Sequence, residues 1–249
     1  MIDKLIPAII LYLKVPEIGF VKTRLISSKI TKKQAFELQV AMIKDSLLLL
    51  SNLSIDFQPI ISFYPQKKLN LLKTLIESFK DSISNKFIKN IIYIPQLGDT
   101  NGQHFKTTFD QSLKLPNIGS CIIIGGDTPH INPSIIIEAV SYLQNNKNSA
   151  VIGPSQRGGF YIFGLNSFIE NLDDIFQKEN EFANLLRICS HKSYMTKISP
   201  YLFDIDTIND AENLLFILQP LFEYESRLEE KEKLSRPRFS FELLKIIFS

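Results

Sequence analysis

Residues 6–24 read IPAIILYLKVPEIGFVKTR. The first nine, Ile6 to Lys14, make a near-continuous apolar run, and Pro16 and Gly19 break it. The stretch therefore reads as a strand buried on both faces, then a turn, then a loop. That loop carries two cations, Lys22 and Arg24, at spacing i, i+2. Open α/β sheets bind ligands outside the carboxyl ends of their strands. A lysine there is a point charge, and an arginine is a planar fork that grips phosphate oxygens in pairs. The two cations point to a di- or triphosphate. The ordinary alternative for so short a motif is a solvated basic loop.

Strand-like runs recur along the chain at Ile60 to Tyr64, Ile91 to Pro95, Cys121 to Gly125, Ala150 to Gly153 and Phe160 to Leu165. Helical patterns separate them. Thr31 and Gln34 have the spacing of a capping box, followed by an apolar face of Phe36, Val40, Ile43, Leu47 and Leu50. Asn132-Pro133 is an N-cap with a first-turn proline, opening a helix through Ile136, Ala139, Val140 and Leu143. Thr207 caps a helix expected over Ile208 to Leu218. Strands alternating with helices of this length predict an α/β fold with a mostly parallel sheet covered on both faces.

At 249 residues, the chain is long enough for one α/β domain with a substantial core. Residues 1–222 are expected to form it. Residues 223–249 change character: ESRLEEKEKLSRPR is charged and FSFELLKIIF amphipathic, a helical tail. A formal net charge of +2 without a lysine-arginine block argues against a nucleic-acid partner, which needs a concentrated basic face. Cys121 and Cys189 have neither zinc spacing nor a disulfide framework, which suggests a reducing compartment. The amino-terminal apolar stretch is too short to span a bilayer and lacks a small-residue cleavage site, so a cytoplasmic protein is expected.

A second constellation is Ile122-Ile-Ile-Gly-Gly-Asp-Thr-Pro-His130. A strand ends in two glycines and presents Asp127 at the same carboxyl edge as the Lys22 loop. A carboxylate facing phosphates needs a cation between them, and magnesium suits one or two carboxylates plus substrate phosphates. The alternative is a turn-forming aspartate. In Asp204-Ile205-Asp206 an extended backbone would point both carboxylates to one side, where they could join Asp127 on a metal. Helix capping is the competing account, and Asp206 is the stronger ligand candidate. Arg157-Gly158-Gly159 lies in a glycine-rich turn between two strands: either a β-turn or a loop over the acceptor. Gly98 to Gly102 precedes a helix expected from Gln103 to Leu113, whose amino terminus could meet a nucleotide, although loop chemistry explains the residues equally well. His104 and His130 have no evident partner, and Ser155 has no histidine-acid pair for a nucleophile triad.

Taken in order, LYLKVPEIGFVKTRL, GGDTPHINPSII, GPSQRGGFYIFGL and FDIDTINDAENL resemble the motifs of the GtfA-like (DUF2064) transferases. That family is also called radical-SAM/selenodomain-associated transferase 1, and many members are named arsenosugar biosynthesis glycosyltransferases. The resemblance runs from about Pro7 to Leu215. It implies a GT-A-like three-layer sandwich, related to molybdenum-cofactor and phospholactate guanylyltransferases. It implies that Lys14, Gly19, Lys22 and Arg24 form the nucleotide-phosphate loop, that Asp127 binds Mg2+ or Mn2+, and that Asp204 and Asp206 are the later acidic pair. The chain departs from the family where Arg157 stands for an aspartate, where Gln103 and His104 replace an acid and an arginine, and where IFQKENEFANLL replaces a tryptophan-centred motif.

The expected activity is metal-assisted transfer of a sugar from a nucleotide-diphosphate sugar to a small-molecule acceptor. Asp127, Lys22 and Arg24 would be catalytic; Lys14, Gly19 and Gly102 would join the nucleotide site; Arg157, Gly158 and Gly159 would form the acceptor loop. Two alternatives stay open. One is nucleotidyl transfer from a nucleoside triphosphate to a phosphorylated small molecule. The other is nucleotide binding without catalysis.

Overall fold

β1 (Ile6–Lys14) takes an interior place in the sheet because both of its faces are apolar. Ile9, Leu11 and Leu13 enter one core, and Ala8 and Ile10 the opposite one. The computed structural model describes residues 5–177, 180–227 and 236–249. Around β1 the described chain forms α1 (Lys32–Ser51), β2 (Gln58–Tyr64), α2 (Leu69–Glu77), α3 (Asn85–Asn90), β3 (Ile92–Pro95) and α4 (Asn101–Leu113). Next come β4 (Ile118–Gly125), α5 (Pro133–Asn145), β5 (Ser149–Pro154), β6 (Phe160–Leu165), α6 (Glu181–His191), β7 (Met195–Ile198), α7 (Ile208–Glu225) and α8 (Arg238–Ile247).

The strand order is β3-β2-β1-β4-β6-β5-β7. β1 is parallel to β2 and β4, and β6 runs antiparallel to both β4 and β5. The expected three-layer, mostly parallel architecture is present. Residues of α1, α2, α3 and α5 fill one core, and Phe105 and Phe109 of α4 with Leu185 of α6 fill the other. β2 and β4 flank β1, so the strand order reverses there. In open α/β sheets the crevice outside the carboxyl ends at such a point is where ligands bind.

The predicted caps form. Thr31 and Gln34 make a capping box, Asn132 accepts from the Ser134 N–H, and Thr207 with Asp210 makes a second box. Three expectations need correction. β7 was missed, because four residues that are half-buried or exposed give no apolar run. α7 continues past Leu218 to Glu225, through Pro220. The single apolar face expected on α1 is too narrow: Ala35, Leu38, Met42 and Ile43 are all fully buried. The reason is tertiary. α8 and α7 cover the outer side of α1, adding Phe241, Leu244, Leu214 and Leu218 as a third core.

The amphipathic part of the tail is α8, whose Phe241 ring stacks on Phe222 of α7 at 4.4 Å. Most of the charged part, residues 228–235, lies outside the described residues. Among the described residues no helix is long and apolar enough to cross a membrane.

Candidate functional site

Three chain segments meet beyond the carboxyl ends of β1 and β4. The first is the loop after β1. Val15, Val21 and Leu25 are buried and pin it to the core, so the residues between them are held in place. Lys22 adopts φ 49°, ψ 39°, the left-handed region that costs an L-residue about 1 kcal/mol or more. The second segment is the turn after β4. The Gly126 N–H donates to Tyr12 O at 3.1 Å, joining it to β1. The third is the extended run before α7, tied in by the Ile205 N–H donating to Asp127 O at 2.9 Å. Ile205 is fully buried in the third core, so its neighbours Asp204 and Asp206 face the other way, as strand-like alternation requires.

The side chains form one charged cluster. Lys22 Nζ donates to Asp127 Oδ2 at 3.0 Å and to Asp206 Oδ1 at 2.8 Å, with only 7% of its side chain exposed. An Arg24 guanidinium nitrogen donates to Asp206 Oδ2 at 3.3 Å, and the Arg24 side chain is 69% exposed. Asp127, Asp204 and Asp206 each offer a carboxylate oxygen, all within 4.8 Å of one another. Burial alone would lower the Lys22 pKa, but Asp127 and Asp206 outweigh it and hold the ammonium protonated. Burial alone would raise Asp206, but Lys22 and then Arg24 outweigh it and hold that carboxyl low. Asp204 goes the other way, to about 6, through burial first and then the negative charges of Asp127 and Asp206. Its Oδ1 is buried without a hydrogen-bond partner among the described residues.

A cavity of about 370 Å3 opens over the cluster, lined by Tyr12, Lys14, Phe20, Lys22, Arg24, Gln39, Asp127 and Asp206 among others. Lys14 Nζ donates to Phe20 O at 3.2 Å, bracing the loop. Gly19 turns the same loop at φ +81°. Gln39 was not singled out from sequence. Its Nε2 donates to Gly126 O at 3.2 Å, tying α1 to the Asp127 turn. The signal available was a polar residue on a buried helical position.

Two expected site elements lie elsewhere. Gly102 is inside the first turn of α4, not before the helix, and does not line the cavity. A Cβ there would collide with the backbone oxygen of Asp173, so this glycine serves helix packing. Thr100 and Gln103 form a capping box at that amino terminus, which satisfies amide donors an anion would otherwise take. Arg157, Gly158 and Gly159 likewise do not line the cavity. Gly158, at φ +76°, packs so closely on Asn180 that a Cβ would reach 2.9 Å from its side chain. Arg157 is exposed, and Gln156 beside it donates Nε2 to Asp204 O at 2.9 Å, so this turn borders the acidic cluster from behind. His104 does have partners: its Nε2 is 2.9 Å from Gly98 O and its ring packs on Tyr64. His130 packs on Phe203 at 4.4 Å, and burial pushes its pKa down to about 4.

The α/β fold that places this crevice at the topological switch point is shared by other solved structures. A protein of Desulfovibrio desulfuricans G20, provisionally described as a nucleotide-diphospho-sugar transferase, matches with a TM-score of 0.69. It is 22% identical, and the match covers 96% of this chain and 94% of that one. A cytidylyltransferase from Leptospira borgpetersenii matches with a TM-score of 0.51 at 14% identity, covering 98% and 94%. A CMP:2-keto-3-deoxy-manno-octonic acid synthetase complexed with CTP matches at 0.51 and 8% identity, covering 88% and 99%. The chain therefore shares the fold of these proteins. Residues 66–179 match the model of the DUF2064 family, described as an uncharacterized protein conserved in bacteria. The family resemblance carried by the motifs is thus met by the family model over the middle of the chain, a span that includes Asp127 and Arg157. No curated protein matches the sequence.

Proposed function

We propose that this protein is a transferase that moves a sugar from a nucleotide-diphosphate sugar to a small-molecule acceptor with the help of Mg2+ or Mn2+. The observation that carries the proposal is the cluster itself: two cations and two carboxylates, Asp127 and Asp206, line one cavity at the carboxyl edge of β1 and β4, with the Asp204 carboxylate beside them. Such an arrangement suits a diphosphate, whose charge is met partly by lysine and arginine and partly by a metal.

The donor set fits a hard divalent cation. All three groups are carboxylate oxygens, and Asp204 keeps a buried oxygen without a partner among the described residues. Asp127 and Asp206, with Asp204 behind them, would hold it, and a bound cation would supply positive charge to the leaving diphosphate. Lys22 and Arg24 would bind the phosphates and stabilise the negative charge that grows on them as the sugar bond breaks. Arg24, being largely exposed, is free to turn toward a ligand. Lys14 holds the loop that carries both. Tyr12 and Phe20 line the walls beside these charges. The Arg157 turn would bear on the acceptor through Gln156 and Asp204.

Nucleotidyl transfer is the second reading. It is favoured by the shared fold of the cytidylyltransferase and of the synthetase complexed with CTP. Both reactions would use the same cations, so the products separate them: nucleoside diphosphate in one case, pyrophosphate in the other.

The test is a thermal-shift screen against nucleotide-sugars and nucleoside triphosphates, with and without Mg2+ or Mn2+, followed by product analysis. A ligand at a hundredfold excess over its dissociation constant stabilises the folded state by about 2.7 kcal/mol. A metal-dependent shift with a nucleotide-sugar and release of nucleoside diphosphate is the expected result. Asp127→Ala should abolish metal-dependent turnover while the protein still melts cooperatively. Turnover that survives this substitution would remove Asp127 from the mechanism.

A further inference from the structure

The Lys22 side chain is only 7% exposed. Its ammonium is not directed into open solvent but lies between Asp127 and Asp206, at 3.0 and 2.8 Å. These are two of the three carboxylates whose oxygens lie within 4.8 Å of one another. A divalent cation coordinates oxygens at about 2.0–2.6 Å. A cation bound to the same two carboxylates would occupy the space the ammonium now fills, and the two positive charges would repel at close range. The ammonium is a cation already seated at the acidic centre, supplied by the chain itself.

We propose that Lys22 is a tethered counter-ion: its ammonium and a divalent cation compete for Asp127 and Asp206, and a diphosphate relieves the competition by offering the ammonium another anionic partner. This rests on the reading above that the acidic trio holds a cation. Val21 and Leu25 pin the backbone on either side, so the exchange is a movement of the side chain. The four-carbon stem of lysine permits it. Arg24 already holds the second oxygen of Asp206 and lies close enough to follow. Two consequences follow. The protein alone binds a divalent cation weakly. Diphosphate and cation strengthen each other's binding by the same factor, as linkage requires.

The competition is read from Mn2+ titrations of the metal-free full-length protein, using water-proton relaxation to register protein-bound Mn2+. Wild type, Lys22→Met and Asp127→Asn are compared with Mn2+ alone and then with inorganic pyrophosphate added. Lys22→Met should bind Mn2+ at least tenfold more tightly than wild type without pyrophosphate. Pyrophosphate should tighten Mn2+ binding at least tenfold in wild type and much less in Lys22→Met. Asp127→Asn should lose Mn2+ binding. Equal or weaker Mn2+ binding by folded Lys22→Met overturns the competition while leaving the cation site standing. No Mn2+ binding by any form, with or without pyrophosphate, overturns the competition and the cation reading together. A wild-type measurement guards against a variant that does not fold. Saturating Mn2+ alone should expel the ammonium and accelerate acetylation of Lys22, read by mass spectrometry, at least tenfold. Unchanged labelling with Mn2+ bound would show the two cations coexisting and sink the proposal.

Discussion

Asp45 offers a sharp test of how the tail is held. It sits on α1, 3% exposed, and its carboxylate accepts from the Phe239 N–H at 2.9 Å and the Ser240 N–H at 2.7 Å. These are first-turn amides of α8, and Pro237 at the N-cap contributes no side-chain bond. Asp45 therefore caps a helix from which it is distant in sequence. Burial pushes its pKa up from 3.8 to about 6, although the Ser240 and Phe239 bonds pull the other way. The folded protein thus holds the Asp45 proton more tightly than the unfolded chain does. The associated stability is full below pH 3.8 and is lost as pH rises through about 6. At 1.36 kcal/mol per pKa unit, the change amounts to roughly 3 kcal/mol. Asp45→Asn keeps an acceptor for one of the two amides and removes the charge; the loss of the second bond costs the same at every pH. The assay is urea denaturation of both proteins from pH 4 to pH 7, taking the difference in unfolding free energy at each pH so that groups common to both cancel. Wild type minus Asp45→Asn should fall by roughly 2.5 kcal/mol across that range, the rest of the change lying below pH 4. A difference that stays constant to within about 0.5 kcal/mol, below the size of an ordinary single-site effect, would refute the account of Asp45 as a buried, charge-penalised cap.

Other outcomes can be stated more briefly. His130 is shifted downward by burial, to about 4 from 6.5, so its contribution is full above pH 6.5 and is lost as pH falls through 4. His130→Phe keeps the ring against Phe203 and should remove roughly 3 kcal/mol of acid sensitivity, checked by the same denaturation series; an unchanged acid limb would count against it. Because Asp45 and His130 act with opposite signs between about pH 4 and 6, wild type should show a flatter profile than either variant. Lys22→Ala combined with Arg24→Ala removes two charge-assisted phosphate contacts and should weaken nucleotide binding on the order of 100-fold by calorimetry; unchanged affinity would remove the loop from the site. Gly102→Ala should destabilise by about 1–3 kcal/mol through its collision with the Asp173 backbone, with nucleotide affinity unaltered once the protein is folded. A selective loss of affinity would return Gly102 to the binding site.

Much of this was readable because the signals were local. β1 announced itself through nine residues with apolar side chains on both faces, and its observed limits are the expected ones. The three N-caps were legible because a capping side chain bonds within three residues of itself. Asp204 and Asp206 fell on one side because alternation is a property of extended backbone. What escaped was set by contacts far apart in sequence. Nothing local reveals that the Asp173 backbone will press against Gly102. The packing of Gly158 on Asn180 was equally invisible in the sequence. The burial of α1 on several sides depends on a helix almost 200 residues later.

By itself, then, the sequence determined the layered α/β class, the central strand, the caps and the chemical types available at the carboxyl edge: two cations and three carboxylates. Periodicity and capping are short-range, so they survive without knowledge of the partners. Only the tertiary structure decided how those charges pair. Lys22 is separated from Asp127 by 105 positions and from Asp206 by 184. No local rule links such positions, and the pairing exists because β1 and β4 lie side by side and the run before α7 is hydrogen-bonded onto the Asp127 turn. Burial at that junction is what turns a solvated basic loop into an ammonium locked between two carboxylates.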